Sequence, residues 1–202
     1  MSIHESLEAA LAPFPQQVSL DNGREFELRP ATQADKDAIL DFARGLHEKD
    51  LLFLRVDITQ PAVVTNWLNN VTVGETVSIL AMDGDNVAGY ATVDRNSARW
   101  TRRVGEIRVN VAPDLRSHGL GRHLIAKIFD VARLLGLKKL VANMTPDQTG
   151  AQTAFTHLGF RTEALLTDFV EDRKGDVHDL IYMSYDIDGH TNLADDPLSL
   201  AL

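Results

Sequence analysis

The sequence predicts a mixed α/β (α+β) domain, and three observations carry that expectation. Helix-period and strand-period segments alternate along most of the chain. A strand, a glycine-bearing turn and an amphipathic helix follow one another in "VNVAPDLRSHGLGRHLIAKIFDVARLLG", Val109 to Gly136. Apolar residues make up 44% of the 202, an ordinary globular share that supplies one domain with an ample core, or at most two small ones.

The elements can be read in order. "REFELRP" alternates and ends at Pro30, which marks a strand. Ile39, Phe42, Ala43 and Leu46 fall on one face of a helix that is capped near Thr32. Val64, Trp67, Leu68 and Val71 repeat that spacing after Pro61, which makes a second helix with Trp67 in its core stripe. "TVSILAM" and "VAGYATVDR" are strands joined by the tight turn Asp83-Gly84-Asp85-Asn86, and "VGEIRVNV" is another strand. Leu120, Leu124, Ile128 and Ala132 recur every four residues on a helix that ends near Gly136. "KKLVANM" is a strand, and a short helix runs from about Thr149 to Leu158 and stops at Gly159. "FRTEALLTDFVED" and "VHDLIYMSYDI" close the sheet around the turn Arg173-Lys174-Gly175-Asp176. Residues 1–22 read as an appendage, 23–187 as the domain and 188–202 as a polar, acidic tail.

Composition narrows the function classes. Lys and Arg number 20 against 29 Asp and Glu, a net charge of −9, which disfavours a nucleic-acid partner. There is no Cys, so disulfides, thiolate metal sites and a Cys nucleophile are excluded. "MSIHESLEAALAPFP" lacks the basic start and apolar run of a secretory signal, and no stretch reaches the ~20 apolar residues of a membrane span. The expectation is a soluble cytoplasmic protein with no membrane partner.

The turn after "VNV" suits an anion. A loop entering a helix offers unpaired backbone N–H groups and the positive end of the helix dipole. Gly119 and Gly121 permit close approach, and Arg116 and Arg122 bracket the loop with charge. It is not a dinucleotide fingerprint, because Leu124 stands where a third Gly is needed and "VANMT" ends without an acidic residue. Nor is it a Walker loop, since Gly121-Arg122-His123 lacks the Lys-Ser/Thr pair.

Arg116-x-x-Gly119-x-Gly121 after "EIRVNV" resembles motif A of the GNAT superfamily of N-acetyltransferases, and "AQTAFTHLGF", Ala151 to Phe160, resembles its motif B. The resemblance runs from about Phe26 to Ile187. It is more distantly similar to bacterial protein-lysine acetyltransferase domains through "LRPATQADKDAILDF" and "LHEKDLLFLR". It implies a mostly antiparallel sheet of about seven strands, helices on both faces, and a central pair in which Ile107 to Val111 splays from Lys139 to Asn143. It implies acetyl-coenzyme A as cosubstrate. The pyrophosphate would lie on Arg116, Ser117, His118, Gly119, Leu120, Gly121 and Arg122, and the pantetheine arm along Val109 and Val111. Gln148 stands where the family often has an Asn that bonds pantetheine. Phe155 stands where it often has a Tyr that protonates the leaving thiolate. Tyr182 and Tyr185 are weak substitutes.

Acetyl transfer needs a deprotonated amine, and a free Lys has a pKa of ~10.4. Glu106 stands ten residues before Arg116, at the place of the base in several superfamily members. Strand alternation puts Glu106, Arg108 and Asn110 on one face and Ile107, Val109 and Val111 on the other. Glu106 is therefore the candidate base. The acceptor is a primary amine, on a small molecule or on a protein Lys or N-terminus. The alternative is a non-catalytic module that senses acyl-coenzyme A. Family members often dimerise, so a homodimer is compatible with the resemblance.

Other residues read as structural. His118 and His123 are five apart without a carboxylate pattern, so no metal site is expected. His157 reads as solvent-facing, and Asp172 to Asp179 reads first as a turn, with His178 and Asp179 bordering the acceptor site as the alternative. Arg99, Arg102 and Arg103 surround Trp100 in a basic patch, either a solvated loop or a contact for the 3′-phosphate or a partner.

Overall fold

The structure, a computed structural model, describes residues 3–47, 50, 51, 54, 56–96 and 98–189. All but the first two residues of the acidic tail lie outside the described residues.

The elements are α1 (Ile3–Leu11), β1 (Gln16–Ser19), β2 (Glu25–Pro30), α2 (Lys36–Arg44), α3 (Pro61–Thr72), β3 (Thr76–Asp83), β4 (Asn86–Arg95), β5 (Val104–Val111), α4 (Leu120–Leu134), β6 (Lys139–Met144), α5 (Thr149–His157), β7 (Arg161–Glu171) and β8 (Val177–Asp186). The order from β2 onward is the one the periodicity predicts. The strands form an 8-stranded sheet in the order β1-β2-β3-β4-β5-β6-β8-β7, where about seven strands are expected. The additional strand is β1, which lies in the stretch read as an appendage and pairs antiparallel with β2, Val18 opposite Phe26. Its four residues follow Pro13 and Pro15 and are too few to show a period.

Each helix is explained by its apolar face. Pro61 opens α3 at its first turn, where the missing N–H costs nothing. Asp35 stands at the start of α2 and closes the turn before it: its carboxylate accepts from Thr32 N at 2.7 Å and takes a two-pronged bond from Arg29 of β2, which ties the helix start to the sheet. Along α4, Leu120, Leu124 and Ile128 are fully buried. With Phe26, Ile79, Ile107, Leu140 and Met183 they make the core on the α1, α4 and α5 face of the sheet. On the other face α2 and α3 cover β3 and β4 through Ile39, Phe42, Val64, Leu68, Leu80 and Tyr90.

The central strands diverge. β5 and β6 are parallel and pair only at Val104–Lys139, Gly105–Leu140 and Glu106–Val141. Beyond Glu106, β5 stays on β4 as far as Val111 opposite Gly89, while β6 stays on β8 as far as Met144 opposite Ile181. The result is a V-shaped slot in mid-sheet.

Gly89 maintains one wall of this slot. A Cβ there would stand 2.8 Å from Asn110 O and 3.2 Å from Leu124 Cδ1. Backbone cannot yield as a side-chain tip does, so Gly89→Ala is expected to cost ~1–3 kcal/mol of stability in denaturant unfolding. An unchanged midpoint would show that the β4, β5 and α4 junction tolerates a methyl group.

Candidate functional site

The loop between β5 and α4 sits at the wide end of the slot. Ser117 has φ 65° and Gly119 φ 93°, two left-handed residues that curl the backbone. A left-handed Ser is strained, by roughly 1–2 kcal/mol. The first amide inside α4 to find a helical acceptor is His123 N, on Gly119 O at 3.1 Å. The N–H groups of Leu120, Gly121 and Arg122 thus point out of the helix start without intrahelical acceptors. A Cβ on Gly121 would meet only Val111 Cγ2, at 3.6 Å, so the space above these amides is open and only Gly leaves it so. The arrangement fits a phosphate or diphosphate group.

The slot edge of β5 is open at Val109, while the Val111 carbonyl already accepts from Arg116 Nε at 3.2 Å. Ala112 N donates to Ala88 O on the β4 side, so Val111, and with it Val109, turns its backbone N–H and C=O toward the slot. An extended amide-bearing chain could pair there as an added strand.

The Arg116 side chain bonds Asp50 and the Val111 carbonyl: its guanidinium grips Asp50 with two bonds of 3.0 and 2.9 Å, and its Nε donates to Val111 O at 3.2 Å. It therefore braces the segment before α3 against the slot. Arg122 is exposed, and His118 and His123 are half-buried. No group of three or more His, Asp or Glu that could hold a metal is found among the described residues.

Gln148 stands at the start of α5, where its Oε1 accepts from Thr145 N at 3.0 Å and fixes the turn after β6. Phe155 is buried on the α4 face and meets Phe160 edge-on, 4.9 Å between centroids. Phe155→Tyr is expected to change turnover less than tenfold, since a thiolate with a thiol pKa of ~8.5 leaves without assistance. A hydroxyl buried there without a partner would cost ~1–3 kcal/mol of stability. A tenfold rise in turnover, ~1.4 kcal/mol of barrier, would instead show thiolate departure to be limiting.

The two tyrosines of β8 separate cleanly. Tyr185 packs on Phe129 and Phe160 in the core, 5.0 and 5.5 Å between centroids. Tyr182 lies on the other face, the one shared by Glu106, and is opposite Asn143. Burial pushes the Tyr182 phenol above its ordinary value, and the Glu106 carboxylate pushes the same way. The alternation of β8 shows that the two point to opposite faces, but which face carries the polar site depends on its register with β6.

Glu106 ends the β5–β6 pairing and shares its face with Arg108 and Asn110, as alternation predicts. Arg108 Nη2 bonds Glu106 Oε1 at 2.6 Å and stands 3.7 Å from Asp94 Oδ2, the carboxylate opposite Glu106 on β4. Asn110 donates to the Tyr90 hydroxyl at 2.8 Å. Burial raises the Tyr90 phenol, and the Asn110 bond opposes it less strongly.

Sequence reading did not find the cavity beside this face. It has a volume of about 430 Å³ and lies between α3 and β4–β5, with Trp67, Tyr90, Asp94 and Arg108 in its wall. Trp67 is held there by its Nε1, which donates to Ser78 Oγ at 2.9 Å, and by Tyr90 at 4.9 Å. Val56 and Ile58 reach the cavity from a segment anchored by Asp57. Partial burial alone would raise the Asp57 carboxyl, but bonds from Thr59, Gln60 and Arg173 outweigh it and hold it at about 2. The cavity draws on residues 56 to 108, a span over which no single period is visible.

The remaining charged stretches are placed plainly. Asp172 is buried and accepts from Lys174 N, Asp176 N and His178 Nε2, a turn role for that stretch. Trp100 is 92% exposed, and the Arg99 to Arg103 loop precedes β5, at the opposite end of that strand from the glycine loop. Eight strand residues, roughly 26 Å, separate the two.

Comparison with known proteins agrees with this geometry. Residues 38–160 match the model of the acetyltransferase (GNAT) family, and the chain belongs to that family. Its class of chemistry is acyl transfer. The fold is shared with the GNAT domain of S. lividans PAT, at 19% identity and a TM-score of 0.71 over 87% of this chain and 98% of that one. It is shared with yncA of Salmonella typhimurium, solved with its cofactor acetyl-CoA, at 23% identity and a TM-score of 0.70 over 84% and 98%. It is shared too with a ribosomal-protein-alanine N-acetyltransferase from Brucella melitensis, at 23% identity and a TM-score of 0.70 over 79% and 98%. A search of curated proteins returns no match.

Proposed function

We propose that the chain moves an acetyl group from acetyl-coenzyme A to a primary amine by direct attack. The observation that carries this reading is the slot between β5 and β6 with the open amides of the α4 start at its mouth. The Leu120, Gly121 and Arg122 amides would hold the pyrophosphate, with Ser117, His118 and Gly119 shaping the loop around it. Val109 and Val111 would pair with the pantetheine arm, and Phe155 and Gln148 would border it from α5. Arg116 serves as a brace, through Asp50 and Val111, more than as a phosphate ligand.

Bound acetyl-coenzyme A supplies an activated thioester carbonyl. The chain's own work is to aim an amine at it and take the amine's proton. Glu106 stands where the slot opens onto the α3 side and is the base in this reading. Arg108 fixes one of its oxygens, so its orientation is set before an acceptor arrives. Tyr182, on the same face, is a weak substitute for the family's phenol; in this reading the thiolate leaves unassisted and takes its proton from water.

The reading is tested by incubating the protein with acetyl-coenzyme A and a panel of amines, free amino acids and Lys-containing peptides, with free thiol as the readout. Thiol release that depends on the amine supports it. Coenzyme A binding without release by any amine would support a sensor module instead.

A further inference from the structure

We propose that the acceptor site is the cavity between α3 and β4–β5, and that it takes a free α-amino acid with an apolar side chain. This rests on the acetyl-transfer reading for what happens to the amine, but the binding argument stands on the cavity itself.

The size points to a small molecule. About 430 Å³ falls within the roughly 300–1,000 Å³ of small-molecule sites. The site is walled by α3 on one side and the sheet on the other, room for one amino-acid-sized group.

The charge arrangement points to a carboxylate next to the amine. Arg108 lines the cavity and is 23% exposed. Only its Nη2 is engaged, by Glu106 and Asp94; its Nε and Nη1 have no partner among the described residues. A guanidinium with donors to spare in a half-enclosed cavity is a carboxylate anchor. Its engaged nitrogen lies 2.6 Å from Glu106 Oε1. The anchor for an anion and the acceptor for an ammonium proton therefore stand side by side. An α-amino acid carries its carboxylate and ammonium one carbon apart, and few other amines match that pairing. Asp94, fixed by Thr76 Oγ1 at 2.6 Å, adds a second negative group on the ammonium side.

Val56, Ile58, Val63 and Trp67 supply the cavity's apolar surface and favour an apolar side chain, while Asn66, Asn70, Glu75 and Arg95 also line it.

The test is calorimetry with leucine, methionine and phenylalanine, each against its amide and its decarboxylated amine, on the protein with and without coenzyme A. At least one amino acid is expected to bind ~10-fold or more tighter than its amide, the worth of a charge-assisted bond. Arg108→Gln should bring that ratio close to one, and Arg108→Lys should restore part of it; circular dichroism checks that both variants fold. The wild-type ratio alone decides if a variant does not fold. Amides or simple amines that bind as tightly as the acids, or no binding by any of the three acids, would overturn the proposal. Amino-acid binding that depends on Arg108, with no free thiol from any amine, would uphold this site and sink the acetyl-transfer reading.

Discussion

Gly121→Glu is expected to weaken coenzyme A binding by ~10²-fold or more and to leave the fold at least as stable as before. The two halves of that result have separate causes. The fold accepts the side chain because a Cβ at this position meets only Val111 Cγ2, at 3.6 Å. Glu in the first turn of α4 also complements the helix dipole and has the better helix propensity, together worth roughly 0.5–1.5 kcal/mol in favour of the variant. The ligand loses on both counts. A carboxylate over the Leu120, Gly121 and Arg122 amides fills the space a phosphate would take and repels its charge. Losing two charge-assisted bonds of ~1.5–3 kcal/mol each gives the expected factor. Calorimetry with coenzyme A and thermal unfolding read the two halves independently. Unchanged affinity would place the cofactor elsewhere on the molecule.

That loop was visible in the sequence because everything it needs is local. A strand, two glycines in three residues and a helix with four-residue spacing lie within Val109 to Gly136. The slot was visible only through the family resemblance. Divergence of β5 from β6 is a relation between strands some thirty residues apart, and nothing in "EIRVNV" or "KKLVANM" alone states it. Alternation gave the right partners for Glu106, because period two is intrinsic to a strand. It could not show that Arg108 bonds Glu106, or that Arg116 turns to Asp50, since both are choices of side-chain direction made by the surroundings. β1 escaped because four residues carry no period, and its place in the sheet follows from its partner β2. The cavity escaped for the same physical reason: its walls come from α3, β4, β5 and the segment before α3, which meet only in the folded chain.

The second large effect concerns Glu106. Glu106→Gln is expected to lower kcat/KM for amine acetylation ~10²–10⁴-fold at neutral pH, the usual worth of a general base. The substitution is nearly isosteric. The Gln side-chain oxygen can still accept from Arg108, so the 2.6 Å contact and the packing around Asp94 survive, and coenzyme A affinity should change little. What disappears is a group that takes up a proton. The pH profile then separates a catalytic loss from a structural one. Without a base only the fraction of amine already deprotonated in solution can react. The variant's rate should therefore climb with pH, tenfold per unit, until it reaches the acceptor's own pKa. The wild type should climb less steeply. A structural defect would lower both profiles by one constant factor and leave their shapes alike. Wild-type turnover in the variant at neutral pH would remove Glu106 from the reaction. In that case the proton would leave by water through the open end of the slot, and the bond from Arg108 would serve only to fix the strand.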